Sequence, residues 1–460
     1  MNIENVRITN ITIQNFKNVV HGTLTLDNSK NGYSSCMLGL YGQNGSGKTA
    51  LIDALELLQH ALCGRPIPNN FADFINIDAD TAAFVFEFRV GQHFVSYKFD
   101  IQGVLNDTEQ NTQSVLGYGK KVRIFNELLK FRPVNDKTAR FTKLIDTDCE
   151  DAFIPKIKMT LLTGKSYKDT DLLVAKKIAF MSSRSFVFSR ELLTAIRTQA
   201  ETNNNHDINL YSSLIESLVH FGNKCLFVIN TTNSGLISLN TQTLLFKGEN
   251  LRGTMLLQLN SPEVVSHSKK VLAEKLIQSM NIVLKHLVPG LTISVKDLGT
   301  QVTDSGELGN KIQLMSRGDK IPLKNESEGI KKIISVLQLL IVVYNQPSIT
   351  VAIDELDSGI FEYLLGEILR LISENGKGQL IFTSHNLRPL ETIDKNFIAF
   401  TSTNSERRYI RMTNLKNTDN LRDFYYHNIM LGIHNDTLYE PTNNAEIAFA
   451  FKEAGLYDAT

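Results

Sequence analysis

The chain has 460 residues, 42% hydrophobic and 21% charged, an ordinary soluble balance with room for two or three domains. Lysine plus arginine equals aspartate plus glutamate at 48 each, so no global field favours nucleic acid or a membrane, and any DNA contact needs a local patch. Cys36, Cys63, Cys149 and Cys225 show no metal or C-x-x-C spacing, the first residues lack signal-peptide order, and no apolar run nears the ~20 residues that span a bilayer, so the expectation is a cytoplasmic protein with free thiols.

In chain order, Val6 to Phe16 alternates as a strand and Gly22 to Leu26 reads as its hairpin partner. The apolar run Met37 to Tyr41 reads as a buried strand. It enters Gly42-Gln43-Asn44-Gly45-Ser46-Gly47-Lys48-Thr49, which fits G-x-x-x-x-G-K-[ST], and the periodic run from Leu51 to Leu58 leaves it as a helix. Ala83 to Val90 and His93 to Ile101 read as a hairpin about Gly91-Gln92, with further strands at Val122 to Phe131 and Arg140 to Ile145 and a polar loop at Leu105 to Lys120. Lys168 to Phe221 turns helical, interrupted by the polar run Glu201 to His206. Glu263 to Leu287 reads as a long amphipathic helix closed by Pro289-Gly290. Short strands follow at Leu291 to Val295, Lys311 to Met315 and Lys320 to Leu323. Then come a helix at Gly329 to Tyr344, a buried strand at Ile349 to Ile353, a helix at Phe361 to Ile372 and a buried strand at Gln379 to Thr383. The fold class expected is α/β: a P-loop core in two parts, 1–150 and 291–460, with an antiparallel β-layer in the first and an inserted helical or mixed region at 151–290 between them. No repeat or sustained heptad is present.

The chemistry follows from residue type and place. Glycines let the loop backbone aim several N–H groups at one anion, and the helix N-terminus adds its dipole. Gly42, Asn44, Gly45, Ser46 and Gly47 are therefore expected to cradle the phosphates of ATP, with Lys48 on the β- and γ-phosphates and the Thr49 hydroxyl on Mg²⁺. Asp354 and Glu355 end an apolar strand as a Walker B pair, Asp354 for Mg²⁺ and Glu355 to polarise the attacking water. His385, just past the next strand, is a candidate second catalytic group. Ser327 and Gly329 open a helix, where a serine caps the backbone and where a second γ-phosphate can also bind.

At this point the chain resembles the ABC-type ATPases of the SMC, RecF and OLD group. The resemblance carries a signature loop at Ser327 and Gly329, an N-F-K element at Asn15, Lys17 and Asn18 near adenine and phosphates, and a D-loop from Leu356 to Gly359. It is closest to the compact bacterial ATPases that stand beside toxins or nucleases in anti-phage systems, among them RloA, the abortive-infection ATPases and the PARIS ATPase. The stretches that carry it are Glu326 to Gly329, Asp354 to Ser358 and Phe382 to Asn386, with Phe424 to Gly432 similar to the closing helix. The resemblance implies self-association as a head-to-tail composite-site dimer or higher oligomer. It also implies a separately encoded toxin or nuclease effector, with DNA or a phage protein as candidate trigger. Many relatives carry Gly-Gly after the signature serine, and here Glu328 takes the place of the first of the two; Gln92 and Gln102 are the candidates for a Q-loop residue.

Three functions remain open at this level: an ATP-dependent sensor and scaffold, a RecF-like DNA-clamp ATPase, and an OLD-type nuclease. The last needs an acidic metal domain after His385, for which the remaining stretch is short. Lys120 to Arg123 and Glu406 to Arg411 are the candidate DNA patches, each read first as a solvated strand face.

Overall fold

Alternation and apolar runs are realised as two different kinds of sheet, held apart and joined by one buried helix. The structure is a computed structural model that describes residues 3–26, 36–105, 120–136, 138–164, 169–203, 205–230, 241–247, 252–258, 261–302, 306, 308–411, 420–431, 438–439 and 443–454. Strand β1 (Val6–Phe16) turns into β2 (Val19–Thr25), and β3 (Cys36–Tyr41) leads into α1 (Lys48–Leu62). Next come β4 (Thr81–Val90), β5 (His93–Leu105), β6 (Lys120–Pro133) and β7 (Thr142–Asp146), then the helices α2 (Lys156–Thr163), α3 (Asp169–Met181), α4 (Arg190–Thr202) and α5 (His206–His220). Past a π-helical turn lies β8 (Leu226–Ile229), followed by the hairpin β9 (Thr241–Lys247) and β10 (Arg252–Gln258), then β11 (Glu263–Val265) and α6 (His267–Leu287). The strands β12 (Ile293–Val302), β13 (Leu308–Ser316) and β14 (Ile321–Pro322) lead to α7 (Glu328–Asn345), β15 (Thr350–Ile353), α8 (Glu362–Asn375) and β16 (Gln379–Thr383). The short helix α9 (Pro389–Thr392), β17 (Ile398–Thr401), β18 (Tyr409–Ile410), α10 (Leu421–Leu431) and α11 (Asn444–Ala454) complete the order.

The first sheet is an antiparallel layer in the order β2-β1-β4-β5-β6-β7. In β4 every second residue, Ala82, Phe84, Phe86, Phe88 and Val90, is buried, as one covered face requires. The second sheet has the order β18-β17-β3-β16-β15-β8, parallel from β17 to β8, with β18 antiparallel at the edge. Its strands β3, β15, β16 and β17 are buried at every position, the pattern of parallel strands covered on both faces. Helix α1 touches β1 on one side and β8, β15 and β16 on the other, and is buried along most of its length.

The sheet that holds the P-loop therefore draws strands from 36–41, 226–229, 350–353, 379–383 and 398–401. Two of its members, β8 and β17, went unread in the sequence, and β18 is the inner part of the strand face read at Glu406 to Arg411. β8 and β17 are four residues each, β8 directly after a helical turn, and neither is flanked by a hairpin signal. The loop expected at Leu105 to Lys120 lies almost wholly outside the described residues. The polar run at Glu201 to His206 is the join between α4 and α5. Among the described residues no helix is long and apolar enough to cross a membrane.

Candidate functional site

The C-terminal ends of β3, β15 and β16 meet at one edge of the parallel sheet, where open α/β sheets bind ligands. A cavity of about 300 Å³ opens there, lined by Lys17, Asn18, Asn44, Gly45, Ser46, Gly47, Lys48, Thr49, Ala50, Asp354, Glu355 and His385. Residues from four separate stretches converge on it. Asn15, Gly42, Ser327 and Gly329 do not line it.

The loop itself is braced from behind by β17 and β18. A Cβ on Gly42 would stand 1.7 Å from Thr401 Oγ1, so only glycine lets the loop pass β17. Ser46 Oγ and Thr401 Oγ1 share a hydrogen bond, and Tyr409 Oη donates to the Gly47 carbonyl at 2.9 Å. Gly47 has φ 93°, a left-handed backbone that a side chain disfavours, and it sits at the N-cap of α1 without a side-chain cap. The first N–H groups of α1 are thus left for an anion. Lys48 Nζ donates to the Gly42 and Gln43 carbonyls, both at 2.8 Å, so the lysine arches over the loop it follows. Burial pulls its pKa down, and the carboxylates of Asp354, Glu355 and Asp357 push back.

Asp354 is 1% exposed. Thr49 Oγ1 donates to its Oδ2 at 3.0 Å, and Thr383 Oγ1 to its Oδ1 at 2.5 Å. This hydroxyl–carboxylate pair at the rim of the anion cradle is a hard, oxygen-only donor set, which fits Mg²⁺. Glu355 is exposed into the cavity with φ 47°, and its N–H donates to Thr383 Oγ1 at 2.8 Å. The N–H groups of His385 and Asn386 donate to Asp357 Oδ2 at 3.1 and 3.0 Å, so one carboxylate ties the loop after β15 to the loop after β16. Lys332 on α7 is buried, its pKa lowered by burial and raised back by Glu355, Asp354 and Asp357, a basic neighbour of the acids that the apolar helix pattern concealed.

Ser327 is the N-cap of α7, its Oγ accepting from Ile330 N–H at 3.3 Å. Gly329 packs so closely on the Gly359 carbonyl that a Cβ would come within 2.2 Å. Asn15 takes part through its backbone, its carbonyl accepting from Asn76 N–H at 2.9 Å. Gln92 lies at the β4–β5 turn and Gln102 within β5, neither on the cavity. The residue at the end of the strand beside Asp354 is Asn230, after β8. Of the suggested DNA patches, Arg408 is buried and bonds the Ser402, Thr403 and Asn18 carbonyls. Arg411 bonds the Asn396, Ile398 and Thr25 carbonyls, and Arg123 bonds those of Phe180 and Met181. These guanidiniums fasten backbone rather than wait for phosphate.

A parallel sheet with a glycine loop and lysine at one strand end, acids at the next and a histidine at the third defines a P-loop ATPase. The AAA ATPase domain family, AAA_15, matches residues 7–388, and the chain belongs to it; it is an ATP-hydrolysing enzyme. No curated protein matches the chain. Similar solved structures include the Smc head bound to the C-winged helix domain of ScpA, at 11% identity over 88% of this chain and 98% of that chain, TM-score 0.40. Others are the SMC head domain from Thermotoga maritima, at 14% identity over 88% and 99%, TM-score 0.35, and the recombination mediator RecF with ATP, at 13% over 89% and 100%, TM-score 0.37.

Proposed function

We propose that this ATPase is the sensor and scaffold subunit of a bacterial anti-phage, abortive-infection system, which holds or releases a separately encoded toxin or nuclease. The observation that carries the switching part is the split of the site: Lys48, Thr49, Asp354, Glu355 and His385 share a cavity, while Ser327 and Gly329 stand off it. A helix start that does not line its own chain's cavity is suited, by its N–H groups and dipole, to a phosphate on another subunit. The defence assignment is supported by the resemblance of Glu326 to Gly329, Asp354 to Ser358 and Phe382 to Asn386.

On this reading the P-loop N–H groups and Lys48 bind the phosphates, and Lys17 and Asn18 flank them. Thr49, with Asp354 through water, would hold Mg²⁺, which supplies charge neutralisation on the phosphate oxygens. Glu355 takes the proton of the attacking water, and His385 orders that water or the γ-phosphate. The chain divides into 1–150, 151–290 and 291–460, the middle piece lending β8 to the core sheet.

The test joins binding, turnover and phenotype. Lys48→Ala should lose Mg²⁺-ATP binding by calorimetry. Glu355→Gln should bind ATP and hydrolyse it on the order of 10²-fold more slowly. Cells carrying the parent and its neighbouring gene should resist phage, and those with Lys48→Ala should not. Equal plaque counts overturn the defence reading, and equal ATP binding overturns the cavity.

A further inference from the structure

One buried carboxylate beside the cavity has no part in the scheme above. Asp53 sits one turn along α1 from Thr49, between the two sheets, with its side chain 1% exposed. Its neighbours on that helix, Leu51, Ile52, Ala54 and Leu55, are the apolar residues that such a position favours. A charge so placed is costly unless paired and hydrogen-bonded.

It is both. Asp53 Oδ2 accepts from the ammonium of Lys17, and Oδ1 accepts from the Asn230 amide at the end of β8. The same amide reaches Glu56 Oε2 at 3.4 Å, one turn further along α1. Lys17 lies on the cavity wall and is itself steered from several sides. Its backbone has φ 52°, its N–H donates to the Phe74 carbonyl at 2.5 Å, and its carbonyl accepts from Asn76 Nδ2 at 2.8 Å. Its Nζ lies 4.2 Å from the centre of the Phe74 ring. A lysine stem has four rotatable bonds, and a ring face and a carboxylate together leave its charge one place to be.

We infer that Asp53, backed by Asn230, is a positioning residue for the ATPase reaction: it sets the Lys17 ammonium on the wall of the nucleotide cavity. This rests on the reading of that cavity as the ATP site. Asn230 links the same carboxylate to the strand beside Asp354, whose N–H donates to the Ile229 carbonyl at 2.9 Å. The cation and the acid on the cavity wall are therefore indexed to one strand end.

The experiment is steady-state ATP hydrolysis by Lys17→Met, Asp53→Asn and the double variant of the full chain, with melting temperatures alongside. Each single change should raise KM for ATP on the order of tenfold, the size of a lost charged hydrogen bond, with kcat moving less. The double variant should be no worse than Lys17→Met alone, because Asp53 acts through Lys17. Asp53→Glu, which keeps the carboxylate, should recover part of the loss. Asn230→Ala should raise KM by a smaller factor, and it stands in if Asp53→Asn does not fold. Lys17→Met impaired beside Asp53→Asn or Asn230→Ala at parental KM and lowered melting temperature overturns the inference alone, since Asp53 would then only fasten the turn to α1. Lys17→Met at parental KM overturns it together with the placement of Lys17 in the ATP site.

Discussion

Glu127, in the β-layer, is a carboxyl at 2% exposure and remote from the P-loop in role. Its Oε1 accepts from Tyr97 Oη at 2.7 Å and from Ser185 Oγ, and its Oε2 accepts from Phe186 N–H at 2.7 Å. Burial drives its pKa above the usual 4.5, outweighing the pull of Ser185, Tyr97 and the backbone N–H groups. The folded chain thus holds this proton to a higher pH than the unfolded chain does. The stabilisation is complete below the unfolded value of 4.5 and is lost as pH rises through the folded value. Glutamine fits the same donors, with its oxygen on Phe186 N–H and its amide toward two hydroxyls that can turn to accept. As pH rises from 4.5 through the folded value, the parent's melting temperature should therefore fall relative to that of Glu127→Gln. A gap that stays constant over this range would show Glu127 ionised throughout. The contrast with the P-loop is instructive: a contiguous motif names its own residues, whereas Glu127 and Asp53 look like polar interruptions until their partners, 58 residues away at Ser185 and 177 away at Asn230, are in place.

Helix α7 starts where two functions could compete, and its first turn separates them. Ser327→Ala removes the cap, a loss of about 1 kcal/mol of stability. Gly329→Ala does something different, because the new methyl meets the Gly359 carbonyl rather than empty space. That carbonyl belongs to the loop between Asp357 and α8, and Asp357 holds the backbone of His385. Overpacking of roughly 1–3 kcal/mol should fall on this loop. We expect Gly329→Ala to slow hydrolysis beyond what Ser327→Ala does at a matched drop in melting temperature; equal rates would leave α7 uncoupled from the His385 loop. At this scale the sequence was a good guide wherever a pattern ran for its full length. The alternation of Ala83 to Val90 and the apolar runs at Met37, Ile349 and Gln379 marked strands that formed within a few residues of their expected ends. It failed at β8 and β17, whose apolar runs Leu226–Ile229 and Ile398–Thr401 are only four residues long, too short for periodicity to tell a strand from a stretch of helix or loop.

At the scale of the whole molecule the decisive prediction concerns two chains. Ser327→Arg should leave ATP binding to the Lys48 site intact and stop closure and hydrolysis. Mixed with Lys48→Ala, it should recover activity, because one of the two shared sites in such a pair carries neither lesion. Exchange of subunits without recovery would show that each chain hydrolyses alone. The same sheet that sets up this test has a consequence for how the chain is made. Cys36 and Gln379 stand side by side on β3 and β16 although 343 residues separate them. A ribosome adding about 5–20 residues per second needs roughly twenty seconds to a minute between the two. The antiparallel layer can close as soon as β7 emerges, but β3, buried on both faces in the finished protein, has neither of its lateral neighbours until the last quarter of translation. The nascent ATPase is thus born with its phosphate loop hanging from an uncovered apolar strand, a long-standing invitation to whatever shields such strands in the cell.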